Sequence, residues 1–184
     1  DIYFQGDKNK WIAAAYTLKA RFFMHMKDYP NALIAAQSGI SSSSGDMKFT
    51  PGNAASGDKN LFWTIIAGSR SGDIGNTSGG SESYLLQILD SGNALSRNHA
   101  KTDETARRGY FMIDSNTASA NLGVINQQEP QNMVTYFENQ LILAEAAARG
   151  GAISDGLPHL NTLRAWMNTG AHVNSNFNGM SYKY

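Results

Sequence analysis

Apolar positions recur at helical spacing near both ends of the chain and lose their period between them. From Asn132 to Gly151, Met133, Tyr136, Phe137, Leu141, Ala144 and Ala148 make one broad apolar face. Thr135 and Glu138 have the spacing of a capping box, and Glu145 precedes Arg149 at the spacing of a helical ion pair. Gly150 supplies a residue free to turn left-handed, so the pattern predicts a helix over 133–149. A second helix is predicted over 8–27, with Asp7 as N-cap and Trp11, Ala14, Ala15, Leu18, Phe22 and Met26 on its apolar face. Trp11 is assigned to the core on that basis. Lys27-Asp28-Tyr29-Pro30 breaks this helix, because proline restricts its predecessor and starts helices well.

A third helix, Pro30 to Ser38, turns Ala32, Leu33, Ala35 and Ala36 inward, and Gly39-Ile40 ends it with an apolar residue that packs back. After Ala152 to Asp155 comes a helix over 157–169, with Leu157, Leu160, Leu163, Arg164 and Met167 in register and Gly170 as its stop. The four helices pair as two tetratricopeptide-like hairpins, 7–40 and 133–170.

Residues 41–132 read differently. The Ser41–Gly45 run is a break, and Gly68 to Ser83 is a Gly/Ser-rich loop. Asn60 to Ala67 fits either an extended segment or a short buried helix, which periodicity does not separate. Tyr84, Leu85, Ile88 and Leu89 predict a short amphipathic helix that stops by Gly92. Tyr110-Phe-Met-Ile113 reads as a strand, with Leu122-Gly-Val-Ile-Asn126 as its partner. The tail 171–184 is rich in Asn and Ser and has no period. The predicted class is mainly α: tetratricopeptide-like hairpins, with a loop-rich insert containing short strands, in one region spanning 1–184.

Composition narrows the function. The 184 residues carry 15 basic and 15 acidic side chains and no basic run, which argues against nucleic acid as a partner. There is no cysteine, which removes disulfides, thiolate metal sites and thiol nucleophiles. His25, His99, His159 and His172 are scattered without a ligand spacing, so no metal or cofactor is expected. No apolar run approaches the ~20 residues of a membrane span. Asp1-Ile-Tyr-Phe-Gln-Gly6 resembles the scar of a cleavable tag.

Three motifs carry a family resemblance. Gly6-Asp-Lys-Asn-Lys-Trp11 with Thr17-Leu-Lys-Ala-Arg21, then Thr135-Tyr-Phe-Glu-Asn-Gln-Leu-Ile-Leu-Ala-Glu-Ala146, then Leu160-Asn-Thr-Leu-Arg164 resemble, in order, three helices of the SusD/RagB family of surface glycan-binding lipoproteins. The resemblance implies an internal piece of a longer, mostly helical protein, lipid-anchored at the outer membrane through a segment outside this sequence. There it would bind a glycan or oligosaccharide for nutrient uptake, acting with a SusC-like TonB-dependent transporter.

A saccharide offers apolar C–H faces and a rim of hydroxyls, so its site wants aromatic platforms beside polar groups. The insert supplies Phe62, Trp63, Tyr84 and Tyr110 beside Arg70, Asp73 and Asn76. Trp63, Phe62, Arg70, Asp73 and Tyr84 are the candidate ligand residues, Trp63 first. No motif places the family's own ligand residues there, and Phe62 and Trp63 serve equally well as plugs between insert and helices. Asn161 and Arg164 are assigned to structure, the arginine on a neighbouring carbonyl or carboxylate.

Catalysis is not expected. Glu138 and Glu145 stand two turns apart, ~10 Å along a helix, beyond the reach of a glycosidase pair, and each has a structural partner in Thr135 or Arg149. The alternative is a helical-repeat scaffold for protein–protein interaction. Against it, hairpins separated by the insert do not stack as sequence neighbours.

Overall fold

A computed structural model describes residues 1–52, 59–65, 83–96, 100–112 and 122–184. The Gly68–Ser83 loop up to residue 82, and Ile113 of the expected strand, lie outside the described residues. The chain is mainly α. It forms two compact units, Asp1–Phe49 with Gln131–Ala165 and Thr50–Pro130 with Trp166–Tyr184.

The first unit holds α1 (Lys8–His25), α2 (Tyr29–Gln37), a two-stranded sheet and α6 (Tyr136–Gly150). Asp7 caps α1 by accepting from the amides of Asn9 and Lys10. The break after α1 owes less to Pro30 than to Lys27, which sits left-handed at φ 60°. Its amide bonds the Met24 carbonyl and the Asp28 amide bonds that of Phe23, the paired bonds of a Schellman turn. Asp28 then caps α2 through the Asn31 amide.

The inward face of α1 differs from the expected one. Ala14, Thr17 and Ala20 are buried, whereas Trp11 is 40% exposed, Phe22 61% and Met26 65%. Ala20, Ala32, Ala35 and Ala36 form the core with Ile142, Leu143 and Ala146. Small side chains there let the backbones approach, and larger ones would hold them apart. Trp11 is therefore not a core residue. It packs edge-to-face on Phe4, and its Nε1 donates to the Asp1 carboxylate at 2.7 Å.

The two helical regions pack together despite the insert, with α2 between α1 and α6. This overturns the expectation that the insert keeps them apart. A polar node locks the junction. Asn139 Nδ2 donates to the carbonyls of Ala36 and Ile40, and Thr17 Oγ1 accepts from the Ile40 amide. A Cβ on Gly39 would lie 2.4 Å from Asn139 Oδ1, so the glycine serves close approach rather than a left-handed turn.

The expected face of α6 is likewise incomplete. Leu141 is exposed, while Asn139, Gln140, Ile142, Leu143, Ala146 and Ala147 are buried. Thr135 Oγ1 does accept from the Glu138 amide, but the Glu138 carboxylate is held in a bidentate pair with Arg21. Only half of the capping box forms. Asp46 satisfies a different orphan amide of the first turn, accepting from the Tyr136 N–H at 2.6 Å. Gly150 is the last helical residue and not a left-handed stop, while Glu145 and Arg149 pair at 2.6 Å as expected.

The strands are not where the sequence placed them. β1 (Met47–Phe49) pairs antiparallel with β2 (Gln131–Val134), Met47 opposite Val134. Tyr110 and Phe111 instead end a helix, and residues 122–126 form turns. The last helix, α7 (Ile153–Met167), begins before Pro158 because Asp155 accepts from the Ala152 amide. Gly156 packs on α6, where a Cβ would meet the Ala144 carbonyl oxygen at 2.3 Å. Gly170 is left-handed at φ 82° and ends the helical region as expected.

The second unit contains α3 (Leu61–Trp63), α4 (Tyr84–Leu89) and α5 (Thr105–Phe111). Asn60 is fully buried: its Nδ2 donates to the carbonyls of Val124 and Asn126, and its Oδ1 caps the Phe62 amide. The periodless tail is an integral part of this unit. Phe177 packs with Ala106 and Tyr110, and Asp103 and Lys183 exchange backbone hydrogen bonds.

Candidate functional site

A cleft of about 410 Å³ opens in the second unit between α4 and the start of α5. Ser83 caps α4 through the Leu86 amide, and Leu86 and Leu89 face inward. That register leaves Tyr84, 70% exposed, and Leu85 on the outer side, where both line the cleft with Ile88. Two Asx turns follow, in which Asp90 accepts from the Gly92 amide and Asn93 from the Leu95 amide. They bring Ser91, Leu95 and Ser96 to the rim.

Thr102, Glu104 and Arg107 form the opposite wall. Asp103 fixes this segment by accepting from the Thr105 amide at 3.0 Å, while its backbone bridges to Lys183. The Thr105 hydrogen bonds hold the Asp103 carboxyl below its usual range. Arg108 pairs with Asp90 at 3.3 Å and ties α5 to the end of α4.

Behind the cleft the polar groups continue. The Tyr184 hydroxyl lies 2.7 Å from His172 Nε2, close enough to Glu104 for each to influence the other's ionisation. Burial pushes the Glu104 carboxyl up, with Arg107 acting against it. Burial, with help from Arg107, lowers His172 to about 4 and keeps the imidazole neutral near pH 7. Burial also raises the Tyr184 phenol, and the Glu104 charge adds to that. His172 is edge-on to Tyr182 and Tyr184, with centroids at 5.7 and 4.8 Å. His172 thereby secures the position of the Tyr184 phenol.

Of the expected ligand residues, the structure places Tyr84 alone in this cleft. Phe62, 51% exposed, and the half-buried Trp63 sit on α3 outside its lining. Arg70, Asp73 and Asn76 lie outside the described residues. Tyr110 is buried, and its hydroxyl donates to Glu129 at 2.8 Å, so it offers no platform. Arg164 bonds only weakly, at 3.4 Å, to Asn161 on its own helix. Glu104 and Arg107 were not singled out from sequence as ligand residues. Their signal is the run Thr102-Asp-Glu-Thr-Ala-Arg-Arg108, where charge gathers inside an otherwise Gly/Ser/Asn-rich stretch.

The cleft can hold a small polar molecule against one aromatic face, an aliphatic wall and hydroxyl and charged groups. Among the described residues its lining has one carboxylate, Glu104. No group of metal-ligating side chains occurs among the described residues, and no described helix is long and apolar enough to cross a membrane. The sequence matches no protein-family model, and comparisons with curated proteins and with solved structures return no match either.

Proposed function

We propose that this chain binds glycans or oligosaccharides without cleaving them, as part of nutrient uptake at the cell surface. The observation that carries the reading is the cleft beside α4, where exposed Tyr84 stands next to Leu85 and Ile88 and faces the hydroxyl and charged groups of Thr102, Glu104 and Arg107. Stacking of a sugar's C–H face on an aromatic ring, with hydrogen bonds around the rim, needs that combination. The resemblance to SusD/RagB proteins in three ordered motifs supports the biological setting: lipid anchoring at the outer membrane and a TonB-dependent transporter as partner.

The test is calorimetric titration of the protein with a panel of soluble oligosaccharides and polysaccharides, in parallel with Tyr84→Ala. Saturable binding without new reducing ends, weakened at least tenfold in the variant, is the expected result. Accumulating product ends would replace binding with hydrolysis, and binding untouched by the variant would move the site away from the cleft.

A second reading has its own support. Ile12, Tyr16, Phe22 and Met26 are exposed along α1, a stripe that suits a helical scaffold docking another protein. Absence of any glycan binding would favour it.

A further inference from the structure

We infer that the cleft selects neutral saccharides over acidic or amino sugars, with Glu104 and Arg107 as the residues that impose the selection. This deepens the saccharide reading of the same cleft and rests on it. Among the described residues, Glu104 and Arg107 are the two charged side chains in the lining, and their charges oppose each other. They stand at the N-cap and third residue of α5, with Arg107 Nη1 3.7 Å from Glu104 Oε2. That separation is an ion pair but longer than a hydrogen bond. Glu104 Oε2 is buried beside Arg107 and accepts no hydrogen bond among the described residues, so this oxygen acts on the cleft through its charge rather than as an open acceptor.

A sugar hydroxyl fits between such groups better than a second ion. It brings groups that donate or accept without adding a charge, so the pair's charge balance survives. A uronate would gain Arg107 only by bringing a second anion against Glu104, and an amino sugar would bring a cation against Arg107. Among the described residues the remaining polar lining, Ser91, Ser96 and Thr102, carries hydroxyls, which exert no charge preference.

The experiment is titration calorimetry at pH 7.5 and low salt. It uses neutral gluco-, galacto-, manno- and xylo-oligosaccharides and their uronate-bearing counterparts, on the wild type, Glu104→Gln and Arg107→Gln, each first checked for its wild-type circular dichroism. The wild type is expected to bind a neutral member at least tenfold tighter than its uronate counterpart. Glu104→Gln leaves Arg107 uncompensated, so the ratio should fall about tenfold toward the uronate, and Arg107→Gln should move it the opposite way. A wild type that prefers uronates, or ratios unmoved in both variants, would overturn the selection by charge while leaving saccharide binding intact. If Glu104→Gln fails to fold, the Arg107→Gln ratio alone decides. Failure of the wild type to bind any member would remove the saccharide reading itself, and this inference with it.

Discussion

At the scale of single residues, the least legible feature is the buried polar node of the first unit. Asn139 is 1% exposed on a helix whose apolar positions were expected to do the packing. A search for apolar periodicity passes over a buried asparagine, because its role is set by carbonyls about a hundred positions earlier in the chain. Ala36 and Ile40 offer those carbonyls where α2 ends, and an unpaired buried carbonyl is costly. Asn139→Ala removes both bonds, leaves Thr17 without its side-chain partner and opens a small void. We expect a loss of about 3 kcal/mol, read as a fall in thermal midpoint on the order of 10 °C. A change within a degree or two would mean that water replaces the amide. The candidate site divides along the same line. Tyr84 was legible because an aromatic at the start of a short amphipathic helix stays exposed when Leu86 and Leu89 turn inward. Glu104 and Arg107 gain their meaning from Tyr184 and α4, which lie at a distance in sequence.

At the scale of elements, the helices were legible because their ends are written locally. Asp7, Asp28 and Thr135 each cap the helix that follows, and Gly170 adopts the left-handed turn that stops one. Which face turns inward was not so legible, since alanine carries little hydrophobic signal yet decides how closely α1, α2 and α6 approach. The strands were missed for a different reason. Met47–Phe49 and Gln131–Val134 are short, and their pairing partners lie over eighty positions apart. The α1 terminus supports a prediction at this scale. Lys27 holds the left-handed position of a Schellman turn, where a side chain costs roughly 1–2 kcal/mol relative to glycine. Lys27→Gly should therefore raise stability by about 0.5–1 kcal/mol, after allowing for the greater freedom of glycine in the unfolded chain. Chemical denaturation midpoints would check this, and a lower midpoint would show that Lys27 makes a favourable contact outweighing its backbone strain.

At the scale of the whole molecule, the chain leaves the first unit after Phe49 and returns to it at Gln131, so the helical regions that read as separate hairpins share one core. The intervening stretch is a unit in its own right, completed by the tail through Asp103–Lys183 and the packing of Phe177. That closure gives the second unit its own response to acid. His172 titrates near 6.5 when unfolded and at about 4 in place, so between those values the unfolded chain binds the proton that the folded one refuses. Stability from this group is full above about pH 6.5 and is lost as pH falls toward 4. Because the imidazole is only half-buried, solvent screening reduces the loss to about 1–2 kcal/mol. Glu104 acts in the opposite sense, since its raised carboxyl takes up a proton more readily when folded, and acidification relieves the cost of its buried charge. The two contributions separate in variants. His172→Gln should flatten the fall in thermal midpoint between pH 6.5 and 4, whereas Glu104→Gln should steepen it. If His172→Gln follows the wild-type curve throughout that window, the folded imidazole takes up its proton as readily as the unfolded one. Tyr184 would then stand beside a cation rather than a neutral ring at the acid end of the window.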